Sequence, residues 1–204
     1  GYGLFTQNGG TNTVTTLNMG VNSGSTGIYT LAGGTLSIGE NIVNASGTST
    51  FNMDGGTLAG NYSSIAVDNF NVGNGASTTG SYTLSGAKTI TATNEYIGNS
   101  GTGTLTQSSG ANTNTVTNLY LGNSGVGTYT QSGGTNTVTT LNMGVNSGST
   151  GTYNLNSGTL SLGSGGVTNG DGTGTINLDG GTLSGSYTSI AVDNFNVGNA
   201  SSTN

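Results

Sequence analysis

Residues 128–151, TYTQSGGTNTVTTLNMGVNSGSTG, form the unit from which the chain is built. The unit opens on an aromatic residue and makes a Gly-Gly step at 133–134. A Thr/Asn run follows, with apolar residues on alternate positions, and a Gly/Ser/Asn turn closes it. Gly133 to Gly151 recurs identically as Gly9 to Gly27, and looser copies fill nearly everything between. Self-similarity at a fixed period of 20–50 residues marks a stacked repeat architecture.

Short alternating runs of Thr, Val, Leu and Tyr between Gly-rich turns read as strands. Helix formers are scarce and no 3.6-residue apolar stripe runs through the sequence. Eight units align on their first large apolar residue: Phe5, Tyr29, Phe51, Tyr82, Leu105, Tyr129, Tyr153 and Ile176. Seven of these begin coils of about 22 to 24 residues or close the chain, a length that suits three strands of about five residues and three turns. The interval from Phe51 to Tyr82 is 31 residues. The pattern predicts an all-β fold, a β-solenoid with coils of about 23 residues.

Two residues beyond each leading position stand Gln7, Leu31, Met53, Leu84, Gln107, Gln131, Leu155 and Leu178. Side chains two apart on a strand share a face, so both members of each pair are expected to point inward. Stacking then predicts one file of leading residues from Phe5 to Ile176, with a Leu/Met/Gln file beside it. Gln107 and Gln131 are placed to bond to each other as an amide ladder. A second apolar pair closes most coils, as at Phe70/Val72, Leu119/Leu121 and Leu141/Met143, each followed by Gly.

A longer period overlies the coil. Phe5 to Leu31 maps onto Tyr129 to Leu155 at an offset of 124, and Phe51 to Asn74 onto Ile176 to Asn199 at 125, including an identical SIAVDNFNVGN. Five coils thus make one super-repeat of about 125 residues. The chain reads as one continuous solenoid over 1–204, with super-repeat one at 1–124 and a partial second at 125–204. Neither end reads as a cap, so the expectation is a window from a longer polypeptide or a subunit stacking on copies of itself. In the long interval after Phe51 the extra residues fall around Tyr62 to Val67, and in its copy around Tyr187 to Val192. The expectation there is a surface loop, with Tyr62 and Tyr187 as a contact site for a neighbouring fibre or a glycan.

Composition narrows the function classes. The 204 residues include 41 Gly, no Cys, His, Pro or Trp, and one basic side chain, Lys88, against seven acids, for a net charge of −6. One cation gives no electrostatic footprint for nucleic acid or anionic lipid. No apolar run approaches the roughly 20 residues of a membrane-spanning helix.

The acids are Glu40, Asp54, Asp68, Glu95, Asp171, Asp179 and Asp193. Asp54 and Asp179 precede Gly-Gly steps, a position suited to turn chemistry, and no pairing of acid with acid or base suggests catalysis. Asp68, Asn69, Asn71 and Asn74, repeated as Asp193, Asn194, Asn196 and Asn199, resemble a run of oxygen ligands, with Asp68, Asn71, Asp193 and Asn196 the weak calcium candidates, although polar strand edges and turn asparagines account for the pattern better. Calcium asks for six to eight oxygens, and the G-G-x-G-x-D pattern of calcium-binding coils is missing. No metal or cofactor is expected. Glu95 aligns with Leu119 at an inward position, where an unpaired carboxylate is costly. The reading there is a register shift, or compensation by Lys88. Thr91/Thr93, Thr113/Thr115 and Thr135/Thr137 form an array that resembles those of ice-binding proteins, interrupted on coils two, three, seven and eight by TLSIG, TLAG, TLSLG and TLSG; ordinary β-propensity explains the threonines better.

The wording of the repeats, as in TLTQSSGANTNTVTNLYLGNSGVGTYTQSGG at 104–134, resembles the Gly/Thr/Asn-rich repeats of very long bacterial surface proteins. These include autotransporter-like passengers and PEP-CTERM exoproteins. The resemblance covers essentially the whole chain and implies a right-handed parallel β-helix with an extracellular adhesive or matrix role. Together with the nearly uncharged surface it leads to the expectation of a non-catalytic extracellular shaft that associates with itself. Two alternatives are a glycan-binding adhesin module and, more distantly, a polysaccharide-degrading or ice-binding solenoid.

Overall fold

The computed structural model describes residues 1–198. They form sixteen strands and no helix, joined in one parallel sheet that winds on itself as a β-solenoid of about eight turns. In chain order the strands are β1 (Tyr2–Val14), β2 (Leu17–Met19), β3 (Thr26–Ile38), β4 (Asn41–Asn44), β5 (Thr48–Met53), β6 (Thr57–Gly60), β7 (Ser64–Val72) and β8 (Thr79–Leu84). They continue as β9 (Thr89–Ile97), β10 (Thr102–Gln107), β11 (Thr113–Leu121), β12 (Val126–Met143), β13 (Thr150–Asn169), β14 (Thr173–Leu178), β15 (Thr182–Gly185) and β16 (Asn194–Val197). The longer strands bend round corners and serve two or three of the solenoid's faces.

Each turn visits three faces. The first carries the start of β1 and of β3, then β5, the ends of β7, β9, β11 and β12, and the end of β13, each in register with the next. The second carries residues 11–14 of β1 in register with 35–38 of β3, then β6. Beyond these it holds β8, β10, the starts of β12 and β13, β14 and β16. The third carries β2, β4, the starts of β7, β9 and β11, the middles of β12 and β13, and β15. On the second face β6 pairs with β3 and β8 with β10, and a shallow groove of about 230 Å³ bordered by Thr57, Leu58, Ser81 and Tyr82 lies at the step between β6 and β8.

The inward alternation fills a triangular core. Leu31, Phe51, Phe70, Leu105, Tyr129, Leu141, Tyr153 and Val167 are among its buried members. Pairing is residue over like residue: Thr on Thr, Gly on Gly and Tyr129 on Tyr153, whose rings stack at 4.9 Å with planes 5° apart. At strand spacing the eight turns rise about 38 Å. Corner glycines let the chain fold this tightly. Gly122, for example, sits at φ 65°, and a Cβ there would run into the carbonyl of Thr150. That backbone conformation is open to Gly without strain.

The structure divides the file of leading residues. Phe5, Tyr29 and Phe51 stack on the first face, and the next ring there is Phe70, not Tyr82. Tyr82, Leu105, Tyr129, Tyr153 and Ile176 stack on the second face. Phe70 links the two files: its ring lies 6.1 Å from Phe51, stacked, and 5.4 Å from Tyr82, edge-on. Phe51 to Phe70 is therefore one short turn, and the long interval from Phe51 to Tyr82 is a turn and a third. The expected loop at 62–67 is absent. Residues 64–67 are an ordinary strand segment of the third face, with Ile65 and Val67 buried. The five coils of a super-repeat come with an added third of a turn, so the second copy of the repeat sits one face further round. The last residues assigned to the second super-repeat, 199–204, lie outside the described residues.

Candidate functional site

The core holds a polar constellation amid its apolar files. Tyr129 Oη donates to Gln107 Oε1 at 2.8 Å and accepts from Asn114 Nδ2 at 3.3 Å. One turn on, Tyr153 Oη donates to Gln131 Oε1 at 2.6 Å and accepts from Asn136 Nδ2 at 2.9 Å. In the first turns Tyr29, Gln7 and Asn12 repeat the arrangement. Each glutamine amide also donates forward to a main-chain carbonyl of the next turn, Thr35, Thr135 or Thr159. Gln107 and Gln131 are in register but do not bond to each other. The expected amide ladder is replaced, because each glutamine oxygen instead accepts from the hydroxyl of the tyrosine diagonally placed on the next strand of the same face. Amide ladders do run along the outer surface instead, through Asn69, Asn94 and Asn118, and through Asn74, Asn99 and Asn123.

Glu95 enters this constellation. It stands in register between Phe70 and Leu119 with no shift, and it is fully buried. Lys88 does not compensate it: its ammonium lies 4.1 Å from the centre of the Tyr62 ring. What meets Glu95 is Asn114, whose Nδ2 donates to Oε2 at 2.7 Å. Burial drives the Glu95 carboxyl up to about 7, and the Asn114 hydrogen bond only partly opposes this. Burial likewise raises the phenols of Tyr82, Tyr129 and Tyr153, so all three stay neutral. Burial favours the neutral form of a carboxyl that has no cation beside it, which lowers the cost of keeping it in the core.

The remaining carboxylates that were candidates hold corners. Asp68 Oδ2 accepts from Asn44 Nδ2 at 2.9 Å, from the Ser49 amide at 2.7 Å and from the Ser49 hydroxyl. Asp193 Oδ2 accepts from Asn169 Nδ2 and from the Gly174 amide, both at 2.8 Å. Asp54 Oδ1 accepts from the Asn74 amide and the Thr78 hydroxyl. Asn71 donates to Asn52, and Asn196 to Asn177. The calcium candidates Asp68, Asn71, Asp193 and Asn196 are thus engaged with neighbouring turns, and Asn199 lies outside the described residues. Among the described residues no three Asp or Glu side chains come together.

The expected contact site is only half at the surface. Tyr62 is buried, its hydroxyl 3.2 Å from that of Tyr82 and its ring covered by Lys88. Its copy Tyr187 is exposed. Tyr62 is buried because Tyr82 and Lys88, which follow it in the chain, cover it, whereas Tyr187 lies in the last described turn.

Two surface features go beyond the reading of the sequence. Tyr96 and Tyr120, half-exposed on the first face, stack at 4.4 Å with planes 6° apart. Each lies between two inward residues, in NEYIG and NLYLG, and that alternation was the available signal. The threonines form a wider and better aligned grid than expected. Thr89, Thr113 and Thr135 make one in-register file, and Thr91, Thr115 and Thr137 a second. Thr93, Thr117 and Thr139 border the same shallow groove of about 400 Å³. TLSIG and TLAG do not interrupt this grid, since 35–38 and 57–60 lie on the second face. Ala66 pairs with Thr91 on one side of the grid and Ser161 with Thr137 on the other.

No family model matches the chain, and neither the curated proteins nor the solved structures give a match.

Proposed function

We propose that this chain is a segment of an extracellular structural shaft, a β-solenoid of a surface fibre or matrix filament that associates with copies of itself and carries out no catalysis. The observation that carries the reading is the destination of the polar side chains. Asp54, Asp68 and Asp193 accept main-chain amides across corners, and Gln7, Gln107 and Gln131 donate to the next turn. Polar groups engaged in this way join turn to turn and stiffen a rod. The low charge supports lateral association, because little repulsion opposes it. The extracellular assignment rests on the likeness of the repeats to those of bacterial surface proteins.

Electron micrographs and sedimentation test this together. The expected result is narrow rods whose length and association grow with concentration. Compact particles that stay monomeric at every concentration would overturn the self-association, and glycan cleavage lost on one Asp substitution would overturn the absence of catalysis.

The threonine grid favours a second reading, a surface that orders water or ice. Its hydroxyls and methyls repeat at about 4.8 Å between turns and about 6.7 Å along a strand. Ice recrystallisation assays with and without Thr115→Lys and Thr137→Lys decide it: inhibition that these substitutions abolish supports the reading, and no inhibition by the unaltered chain removes it.

A further inference from the structure

Glu95 and Asn114 belong to the same turn, Glu95 on the first face and Asn114 on the third, and both are fully buried. Of their four side-chain polar atoms, Asn114 Nδ2 and Glu95 Oε2 are bonded to each other. The other two, Glu95 Oε1 and Asn114 Oδ1, are buried without a donor. Both are acceptors, so a single proton placed between them would satisfy the two at once. The amide's orientation is fixed independently. Tyr129 commits its hydroxyl proton to Gln107 and so must accept from Asn114 Nδ2, which leaves Oδ1 as the free end.

We infer that Glu95 carries a proton on Oε1 and donates it to Asn114 Oδ1, closing a two-bond acid–amide ring that locks two faces of the solenoid together and opens when that proton is lost. Loss of the proton sets a carboxylate against an amide oxygen in the core, where nothing replaces the missing donor. The chain has no Arg or His, and its one Lys lies on Tyr62. The titratable groups close enough to feel the charge are the phenols of Tyr82 from β8, Tyr129 from β12 and Tyr153 from β13, all neutral and raised further by burial. Phe70 and Leu119, which flank Glu95 in its own file, supply no charge.

The direction of the pH effect follows. The folded carboxyl holds its proton up to about 7, while an unfolded glutamate releases it from about 4.5. Between those values the folded state holds more of the Glu95 proton, so the contribution of Glu95 to stability is greatest in mild acid and falls as pH rises towards 7, then levels off. The solenoid tightens at this turn in mild acid and loosens at neutral pH and above.

The test uses the intact chain labelled with carboxyl-¹³C glutamate. Only Glu40 and Glu95 then report. One of the two signals is expected to titrate near pH 7 and to vanish in Glu95→Gln. Amide protection at Leu119 and Tyr129, corrected for intrinsic exchange, is expected to fall roughly 50- to 100-fold from pH 5 to pH 8 in the unaltered chain. In Glu95→Gln, whose amide closes the same ring without titrating, it is expected to stay flat. Two glutamate signals that both titrate below pH 5, or equal slopes in the two proteins, would overturn the lock. If Glu95→Gln does not fold, the titration in the unaltered chain decides alone.

Discussion

Replacing Tyr153 by Phe removes one oxygen from the core and leaves the packing of the ring intact. That oxygen is bonded twice, donating to Gln131 Oε1 at 2.6 Å and accepting from Asn136 Nδ2 at 2.9 Å, among three residues of zero exposure. Its loss leaves a glutamine acceptor and an asparagine donor unpartnered in a region water does not reach. Each such orphan costs about 1–3 kcal/mol, so Tyr153→Phe is expected to cost about 2–5 kcal/mol. An exposed tyrosine making the same change would lose almost nothing. The same asymmetry predicts a rescue. In the next turn Leu155 is in register with Gln131 and Leu160 with Asn136, so the core already accepts leucine at these heights. The triple variant Tyr153→Phe, Gln131→Leu, Asn136→Leu should recover much of the loss. It will not recover all of it, because Gln131 Nε2 also holds the Gly133 and Gly134 carbonyls. A solenoid contacts itself only from turn to turn, which makes a single global unfolding energy a poor measure. Hydrogen exchange at the amides of β12 and β13 is the right assay, with protection expected to fall by at least about 30-fold in the single variant. A triple variant no better protected than the single one would refute the reasoning.

Gly122→Ala forces a side chain into a left-handed φ of 65° and against the Thr150 carbonyl, and is expected to cost about 2–4 kcal/mol, read as a lowered melting temperature. Asp68→Ala unties the corner at Ser49 and Asn44, for about 1.5–3 kcal/mol, with exchange at the Ser49 amide rising first. Chelation should leave the melting curve unchanged, because Asp68 and Asp193 already accept protein donors; a melting temperature lowered by chelator and restored by calcium would contradict this.

The fold was legible because each coil's alternation survives translation along the chain. Tyr129 on Tyr153 and Gly127 on Gly151 are pairings a reader can make from spacing alone. The faces were not legible, for a physical reason. Alignment on aromatic residues assumes that a leading residue always stacks on the next leading residue. Phe70 breaks the assumption: it closes a coil in sequence, yet its ring fits over Phe51 as well as a leading residue's would. The long interval between Phe51 and Tyr82 was the visible trace, being four-thirds of an ordinary coil. Glu95 faces inward as its alignment with Leu119 implies; the rule against buried charge points to a register shift, whereas burial instead raises the carboxyl towards its neutral form. Of the candidate site residues, Tyr62 was misplaced for the same reason as the faces, since an apparent insertion looks like a loop. The tyrosine–glutamine–asparagine constellation left a trace in sequence too: Gln7 and Gln131 each have an Asn five residues on and a Tyr twenty-two on. Periodicity alone does not say that the three meet.

The extra third of a turn means that local sequence sets the shape of a corner but not which corner it is. Asp68 and its copy Asp193 make the point. Asp68 ties Asn44, at the end of a third-face strand, to Ser49, which opens the next first-face strand. Asp193 ties Asn169, at the end of a first-face strand, to Gly174 in a second-face strand. The asparagine and main-chain amide bonds are the same while the faces have advanced by one, so these two corners accept the same tie although Gly174 lacks the Ser49 hydroxyl. Equivalence of this kind lets a repeat with a fractional number of turns persist without strain. It also carries any feature tied to the repeat round the rod. Thr11 and Thr13 lie on the second face and their identical copies Thr135 and Thr137 on the third, so only the second pair joins the threonine grid. Surface patterns on this solenoid are therefore decided by the running count of residues per turn, and a residue's role follows from its neighbours in the stack more than from its neighbours in sequence.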